Sequence, residues 1–287
     1  MTELNMKNEV TLDRVSVANL TAGRVDPVEF IESAASGGFG AVGLLLMSAT
    51  AHPLQHEVVG RPEVVRKVKS ALKSHNMRVF DVEAFILSPA SDFEKFRPAL
   101  EVGAELGATH ISSIGAEVIG NDAYLEPTQR IDLFGRLCDE AARFGLHVGL
   151  EFMLYRDIAT WKDALDLVEA AGRSNAGLII DTLHLYRAGG TPQDVAGISA
   201  NRIAYAQLSD AVQISPELND LPTEARGSRL HLGEGSMPLH ELVDALPKAT
   251  QLVIETPIAA EANWSTIRRI QSAADSSRRF FERHAAR

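Results

Sequence analysis

The chain has 287 residues, of which 45% are hydrophobic and 23% charged, a composition typical of soluble globular proteins. Its formal net charge is −10, which argues against a nucleic-acid-binding surface, because such a surface needs a basic face. No apolar run approaches the roughly 20 residues of a membrane helix, and the polar start MTELNMKNEV does not resemble a secretory signal. The only cysteine, Cys138, excludes an internal disulfide and a thiolate metal site. We therefore expect a cytoplasmic protein that acts on a small molecule, without a nucleic-acid or membrane partner.

Short apolar runs alternate with longer amphipathic patterns throughout the chain. The predicted strands, in chain order, cover residues 14–20, 41–47, 78–87, 109–115, 147–153, 176–184, 203–210 and 251–257. The predicted helices cover residues 27–38 after the N-cap Asp26, then 61–76, 92–107, 126–144, 157–173, a short segment from 191, 238–246 and a terminal segment from about 263. A strand followed by a helix is thus the repeating unit.

Eight such units predict a closed (β/α)8 TIM barrel that forms one domain over residues 1–287. Burial on both faces explains why the predicted strands are almost continuously apolar. An open doubly wound sheet is the alternative, but it usually has fewer units and a glycine-rich phosphate loop, of which residues 18–24 are a poor version. The longest predicted loop covers residues 211–236, and long loops are often functional.

Four successive predicted strands end in side chains that carry oxygen donors: Glu151, Asp181, Gln207 and Glu255. In a barrel the carboxyl ends of the strands meet at one mouth. Three carboxylates at short range repel one another, and the strand ends supply no arginine or lysine. The pattern therefore predicts a divalent cation, with Mn²⁺ or Mg²⁺ best suited to oxygen donors and Co²⁺ or Zn²⁺ as alternatives. Each residue taken alone has another interpretation, as a helix cap or an arginine partner.

Further candidates lie next to these strand ends. His184 follows Asp181 by three residues and is a candidate acid or base, or else a supporting or core histidine. Arg229 and Arg187 are candidates for binding a substrate oxygen or carboxylate, and pairing at the surface is the alternative for both. Asp210 either orients a ligand of the metal from behind or caps a turn.

Other candidates are placed less directly by the pattern. Glu83 ends strand three on the opposite side of the barrel, His231 lies in the long loop, and Tyr155 follows strand five. These three side chains are candidates for contacting the substrate, and packing in the core or against a helix is the alternative for Tyr155. Phe85 and Phe152 are candidate apolar walls of the site, with packing in the core as the alternative.

Taken together, the pattern resembles the xylose isomerase-like TIM barrels, the sugar phosphate isomerase/epimerase superfamily. The features that carry the resemblance are Glu after strand five, Asp-x-x-His after strand six, an oxygen donor after strand seven and Glu after strand eight. The sequence RLHLGEGSMPL (229–239) also resembles the superfamily's Gly-Glu-Gly turn. The resemblance spans strands one to eight and is most specific over residues 151–257. It implies a homodimer or a homotetramer, and one divalent metal held by Glu151, Asp181, Gln207 and Glu255.

The superfamily contains ketose 3-epimerases, inosose dehydratases and isomerases, hydroxypyruvate isomerase and 3-dehydroshikimate dehydratases. Gln207 departs from the histidine of many members and resembles the dehydroshikimate dehydratase branch. Zinc endonucleases of the related DNA-repair fold need further clustered histidines, whereas the histidines here are scattered and the net charge is negative. That function is rejected.

The resemblance implies enolising chemistry in carbohydrate metabolism. A metal bound to a substrate carbonyl and its neighbouring hydroxyl acidifies the adjacent C–H, and Glu151 and Glu255 serve as base and acid. We expect an isomerase or epimerase that acts on a sugar-like or cyclic polyol ketone. A dehydratase of the 3-dehydroshikimate or inosose kind, with His184 as acid or base, is the alternative among enzymes. A non-catalytic barrel that binds a partner is the alternative from another class.

Overall fold

The computed structural model describes residues 10–48, 54–119 and 125–287. Eight parallel strands form a closed barrel in which each strand pairs with the next along the chain and the last pairs with the first. The strands are β1 (Ser16–Ala18), β2 (Ala41–Leu45), β3 (Arg78–Ile86), β4 (His110–Ile114), β5 (His147–Glu151), β6 (Ala176–Asp181), β7 (Ile203–Leu208) and β8 (Leu252–Ile254). The single-domain (β/α)8 barrel is confirmed, and the open sheet is excluded because β1 and β8 are paired.

Helices surround the barrel and cover its outer face. They are α1 (Asn19–Ala22), α2 (Pro27–Gly37), α3 (Pro62–Ser74), α4 (Phe93–Glu105), α5 (Pro127–Ala142), α6 (Trp161–Ala171), α7 (Thr182–Arg187), α8 (Pro192–Ala196), α9 (Leu221–Gly227), α10 (Leu239–Ala245) and α11 (Thr266–Ala285). Short 3₁₀ helices cover Leu12–Arg14, Ala200–Arg202, Leu218–Asp220 and Ala259–Glu261. Among the described residues, no helix is long and apolar enough to span a bilayer.

Capping residues set where the helices begin. The Asp26 carboxylate accepts a hydrogen bond from the Val28 amide at 2.8 Å, so α2 begins at Pro27 as predicted. α6 begins at residue 161 rather than 157, because Thr160 and Asp163 bond reciprocally in a capping box.

Two differences from the predicted elements at the mouth of the barrel affect the site. β6 ends at Asp181 rather than at 184, because the Asp181 carboxylate accepts a hydrogen bond from the His184 amide at 2.9 Å and caps α7. The predicted loop over residues 211–236 contains α9 and a preceding 3₁₀ turn. His184 therefore lies on a helical turn directly above the strand end.

The main hydrophobic core fills the layer between barrel and helices. Phe85 and Phe152 are fully buried in this core. Their interpretation as walls of a site is wrong, because both side chains pack in the core and neither lines the cavity at the mouth of the barrel.

The contact between β1 and β8 closes the barrel and is its shortest ladder. It contains two register pairs, Ser16↔Val253 and Val17↔Ile254. The Thr21 hydroxyl donates to the Ile254 carbonyl at 3.1 Å and accepts from the Thr256 amide at 3.0 Å. These two hydrogen bonds connect α1 to the chain just beyond the last paired residues of β1 and β8.

Candidate active site

A cavity of about 690 Å³ opens at the C-terminal ends of the strands, where barrel enzymes carry their active sites. Its deep end is lined by Glu83, Glu151, Gln207, Glu255 and His184. All five side chains are more than nine-tenths buried. The strand ends predicted to meet at one mouth therefore do so.

Arg229 is the cation at the centre of this acidic cluster. Its Nη1 lies 2.6 Å from Asp181 Oδ2 and its Nη2 lies 3.0 Å from Glu255 Oε2. Burial acts to lower the pKa of Arg229, but the carboxylates of Asp181 and Glu255 outweigh it and hold the pKa above its usual value. Its side chain is 2% exposed, so pairing at the surface is wrong.

The chain segment around Arg229 explains why a loop residue reaches the centre of the mouth. Leu230 and Asp210 exchange two backbone hydrogen bonds, of 2.8 and 3.0 Å. Ser228 forms a bridge with Ile258. These contacts hold the segment between the ends of β7 and β8. Arg229 projects from it toward the carboxylates of Asp181 and Glu255.

Asp181 is fully buried and remains ionised. Burial acts to raise its pKa, but the Arg229 guanidinium, the nearby His184 and their hydrogen bonds outweigh it, so its pKa lies below its usual value. Asp181 is therefore a permanent negative charge at the end of β6.

Glu151 and Glu255 behave in the opposite way. Burial, followed by repulsion from Glu255 and Asp181, raises the pKa of Glu151 well above its ordinary value. Burial also raises the pKa of Glu255, to about 7, although Arg229 opposes the shift. Burial and repulsion thus favour the neutral form of both carboxyl groups.

His184 lies against this pair of acids. Its Nε2 is 3.8 Å from Glu151 Oε1. Burial lowers the pKa of His184 to about 4, so the imidazole is neutral at neutral pH and can act as a metal ligand or a proton acceptor.

The donor atoms suit a divalent metal. Glu151, Asp181 and His184 each offer one ligand atom, and these atoms lie within 4.8 Å of one another. Gln207 is 2% exposed and its Oε1 accepts no hydrogen bond within the described part of the chain. A buried acceptor without a donor is costly, and a cation would satisfy it. Glu255 lies outside the group of three, and its carboxylate pairs with Arg229 instead.

Two further predicted residues lie at the cavity. Tyr155 lines it, with its ring centroid 5.9 Å from that of His184. Glu83 lines the opposite wall. Burial, followed by repulsion from Asp81, Glu255 and Glu151, raises the pKa of Glu83 well above its usual value.

Two predicted substrate contacts are wrong, because their side chains are engaged elsewhere and do not line the cavity. His231 Nε2 lies 2.9 Å from Glu261 Oε1 and 3.0 Å from the Ser272 hydroxyl, and it ties the long loop to α11. Arg187 Nη2 lies 2.5 Å from Glu224 Oε1 and holds α9 against α7. That ion pair is buried, so pairing at the surface is also wrong for Arg187.

Asp210 caps a turn, which is the alternative interpretation of this residue. Its carboxylate accepts hydrogen bonds from the amides of Gly233, Gly235 and Met237 at 3.1, 2.9 and 3.0 Å. A Cβ on Gly235 would lie 2.3 Å from Asp210 Oδ1, so only glycine fits the turn. Asp210 contacts none of the predicted metal ligands through these bonds, and its expected role behind a ligand is wrong.

Arg156 belongs to the cavity but was not predicted from the sequence. Arg156 is 4% exposed and lines the cavity beside Tyr155. It lies in the loop directly after β5, and loops in that position line the mouth of a barrel. That position is the signal by which the sequence could have revealed it.

Carboxylates and an imidazole gather at the C-terminal mouth of a closed parallel barrel, the place where (β/α)8 barrels carry their active sites. The chain belongs to the xylose isomerase-like TIM barrel family, whose model matches residues 31–283.

Relatives within this family carry out more than one reaction. A 3-dehydroshikimate dehydratase of Pseudomonas aeruginosa is 27% identical over 74% of this chain and 32% of its own length. An inosose isomerase of Bacillus velezensis is 27% identical over 28% of this chain and 29% of its own length. The chain thus spans about a third of the length of these curated relatives. A solved structure of the IOLI protein with a bound zinc atom superposes with a TM-score of 0.79 at 14% identity, over 94% of this chain and 98% of its own.

Proposed function

We propose that the protein is a divalent-metal-dependent isomerase or epimerase that acts on a sugar-like or cyclic polyol ketone. The observation that carries this proposal is the convergence of Glu151, Asp181 and His184, whose ligand atoms lie within 4.8 Å of one another beside the cavity. The substrate is a small molecule that fits a cavity of about 690 Å³. A cytoplasmic role in carbohydrate metabolism, and a homodimer or homotetramer, are part of the same proposal.

The residues proposed to hold the metal are Glu151, Asp181, Gln207 and Glu255, with His184 available at the same point. Mn²⁺ or Mg²⁺ suits these oxygen donors best, and the imidazole leaves Co²⁺ or Zn²⁺ as alternatives. When bound, the ion supplies Lewis-acid polarisation of a substrate carbonyl and stabilises the negative charge that develops there.

The protein's own groups move the proton. Glu151 takes the proton next to the carbonyl, because its carboxyl group lines the cavity beside the other proposed metal ligands Asp181 and His184. Glu255, with a pKa of about 7, returns a proton to the enediolate. Return to the opposite face of the same carbon gives epimerisation, and return to the neighbouring carbon gives isomerisation. Arg229 stays charged throughout and fixes the Glu255 carboxylate at 3.0 Å.

Dehydration is the second candidate. It is supported by Gln207 in the position of a metal ligand and by the match to a dehydratase over 74% of this chain. In this reaction the neutral His184 accepts a proton and then donates it to the departing hydroxyl. A non-catalytic barrel fits less well, because a binding module has no need of a buried set of four acids and an imidazole around one cavity.

Metal analysis and isotope exchange test the proposed function together. Purified protein is expected to hold one divalent ion per chain, and to exchange deuterium into an inosose or a ketohexose in deuterated buffer. Glu151→Gln should lower the exchange rate by about 10²- to 10⁴-fold, the usual contribution of a general base. Asp139→Asn, at an exposed ion pair with Arg173, is the control and should leave the rate unchanged.

The products separate the two reactions. Deuterium in recovered or isomerised ketone marks isomerisation, whereas an aromatic dihydroxybenzoate formed from 3-dehydroshikimate by loss of water marks elimination. Protein that holds no metal and exchanges no deuterium with any of these ketones would contradict both.

A further inference from the structure

We propose that the substrate carries an anionic group, a carboxylate or a phosphate, and that Arg156 binds this group at the wall of the cavity. The inference rests on the proposed function, since it concerns the molecule on which the same site acts. It narrows the substrate class from sugar-like or cyclic polyol ketones in general to those that also carry an anionic group.

Arg156 is held rigidly in place. Its backbone amide donates to the Met153 carbonyl at 2.8 Å, and its Nη1 donates to the Gly115 carbonyl beyond β4 at 2.8 Å. A bridge between Arg156 and Glu117 fixes the backbone on the other side. The side chain is 4% exposed and lines the cavity, so the guanidinium is positioned before any ligand arrives.

The remaining donors of this guanidinium are unused. Its Nε is buried and makes no hydrogen bond to any described residue. Arginine carries its donors in a planar fork that matches a carboxylate or a phosphate. The Nη2 group, which also makes no hydrogen bond to a described residue, is the donor left for an oxyanion in the cavity.

Two other buried arginines at the mouth of the barrel each pair with a carboxylate. Arg187 lies 2.5 Å from Glu224, and Arg229 lies 2.6 Å from Asp181. Arg156, in contrast, forms no ion pair with a carboxylate of the described residues. A buried charge without a counter-ion is strongly unfavourable, so this position indicates a charge supplied from outside the chain.

The acids around Arg156 are at longer range or engaged elsewhere. Glu117 lies 3.9 Å from Arg226, and Asp157 lies 3.4 Å from Arg130. Glu151 also acts on Arg156 at a distance but belongs to the proposed metal ligands. None of these carboxylates is therefore free to neutralise it.

Other basic residues of the cavity also favour an anionic substrate. Its outer wall also carries Arg24, Arg226 and Arg269. Within the described ranges, Arg24 and Arg269 form no ion pair. This basic rim is notable in a chain of net charge −10. An anionic substrate would be attracted by the rim and repelled by the acidic deep end, so its ketone would face the deep end and its anion would face Arg156.

Matched pairs of probes test the proposal on the metal-loaded protein. Shikimate is compared with its neutral primary amide, and D-fructose 6-phosphate with D-fructose, by calorimetric titration. At least one anion should bind roughly tenfold or more tightly than its neutral partner, the factor expected from a charge-assisted hydrogen bond. Preference in the first pair identifies a carboxylate, and preference in the second a phosphate.

Variants assign the preference to Arg156. Arg156→Gln should abolish the preference for the anion, Arg156→Lys should keep part of it, and Arg173→Gln on the remote surface should leave it intact. The proposal is overturned if neither anion binds more tightly than its neutral partner, or if Arg156→Gln retains the full preference. The latter result would place the anion on the metal or on another arginine. Circular dichroism of each variant verifies folding.

The readout is independent of turnover. A charge preference that persists in protein without isotope exchange would support the anion site while contradicting the proposed reaction. Isotope exchange without a charge preference would do the reverse.

Discussion

Arg229 shows how one side chain determines the charge of the whole site. It is the cation that permits Asp181 to stay ionised in a fully buried position. Burial and the remaining repulsion raise the pKa values of Glu151 and Glu255. One guanidinium thus divides three similar acids into a fixed charge and two groups that can exchange protons.

Replacing Arg229 is predicted to destabilise the metal-free protein. Arg229→Met leaves Asp181 and Glu255 buried without a counter-ion, and we expect the free energy of unfolding to fall by about 3–5 kcal/mol. Urea denaturation in the presence of a chelator measures this change. Arg173→Met breaks an ion pair that is 42% and 57% exposed and should have little effect. Equal stability of Arg229→Met and the wild type would contradict the central role of this ion pair.

The sequence could not assign this role, although it identified the residue. The carboxylates were predictable because each ends an apolar run, and such ends meet in a barrel. Arg229 reaches them only because Leu230 pairs with Asp210 and Ser228 with Ile258. Neither bridge leaves a periodic pattern in the sequence, so the ion pairs of Arg229 with Asp181 and Glu255 were not expected.

Among the elements, the junction of β6 and α7 carries the most chemistry. Asp181 ends the strand, caps the helix and pairs with Arg229. The strand pattern was predicted to continue to residue 184, since Thr182 and Leu183 are compatible with either structure. The capping bond between Asp181 and His184 decides in favour of the helix. Local propensity alone does not distinguish these outcomes.

At the opposite ends of the strands, β4 carries a histidine that links stability to pH. His110 stacks on His147 of β5 with a centroid distance of 5.3 Å. Burial, with the nearby His147, lowers the pKa of His110 from 6.5 to about 4. The folded state therefore binds its proton less readily than the unfolded chain, and stability should fall as the pH drops from 6.5 toward 4.

The predicted size of this effect is about 2 kcal/mol between pH 7 and pH 5. His110→Gln should remove it, so the variant should lose less stability than the wild type over this range. Chemical denaturation at the two pH values measures the difference. His184, with a pKa also near 4, is present in both proteins and its contribution cancels. Parallel losses in wild type and variant would contradict this assignment.

At the scale of the whole molecule, the fold was predictable and the arrangement of the cavity was only partly so. Eight strand-helix units determine a barrel, and a barrel determines which ends of the strands meet. The positions of His231 and Arg187 were mistaken, because the folding of residues 211–236 around Glu224 and Glu261 depends on contacts distant in sequence. Such contacts have no local signature.

Metal binding is predicted to stabilise the whole barrel. An ion that binds only the folded state adds about 2.7 kcal/mol at a concentration 100-fold above its Kd. Thermal unfolding with Mn²⁺ and with a chelator should therefore give a clearly higher midpoint for the loaded protein. Asp181→Asn, which removes one proposed ligand, should reduce the difference. An unchanged midpoint with and without the ion would contradict the metal site.

The hydrogen bonds of the Thr21 hydroxyl determine when Glu255 reaches its final position during folding. It donates to the carbonyl of Ile254, before Glu255, and accepts from the amide of Thr256, after it. The backbone on both sides of Glu255 is therefore held by α1, near the start of the chain. Glu255 therefore has its final position only when the beginning and the end of the fold have met. An incompletely folded chain would present the other acids without it, so the proposed set of four metal ligands is complete only in the fully assembled barrel.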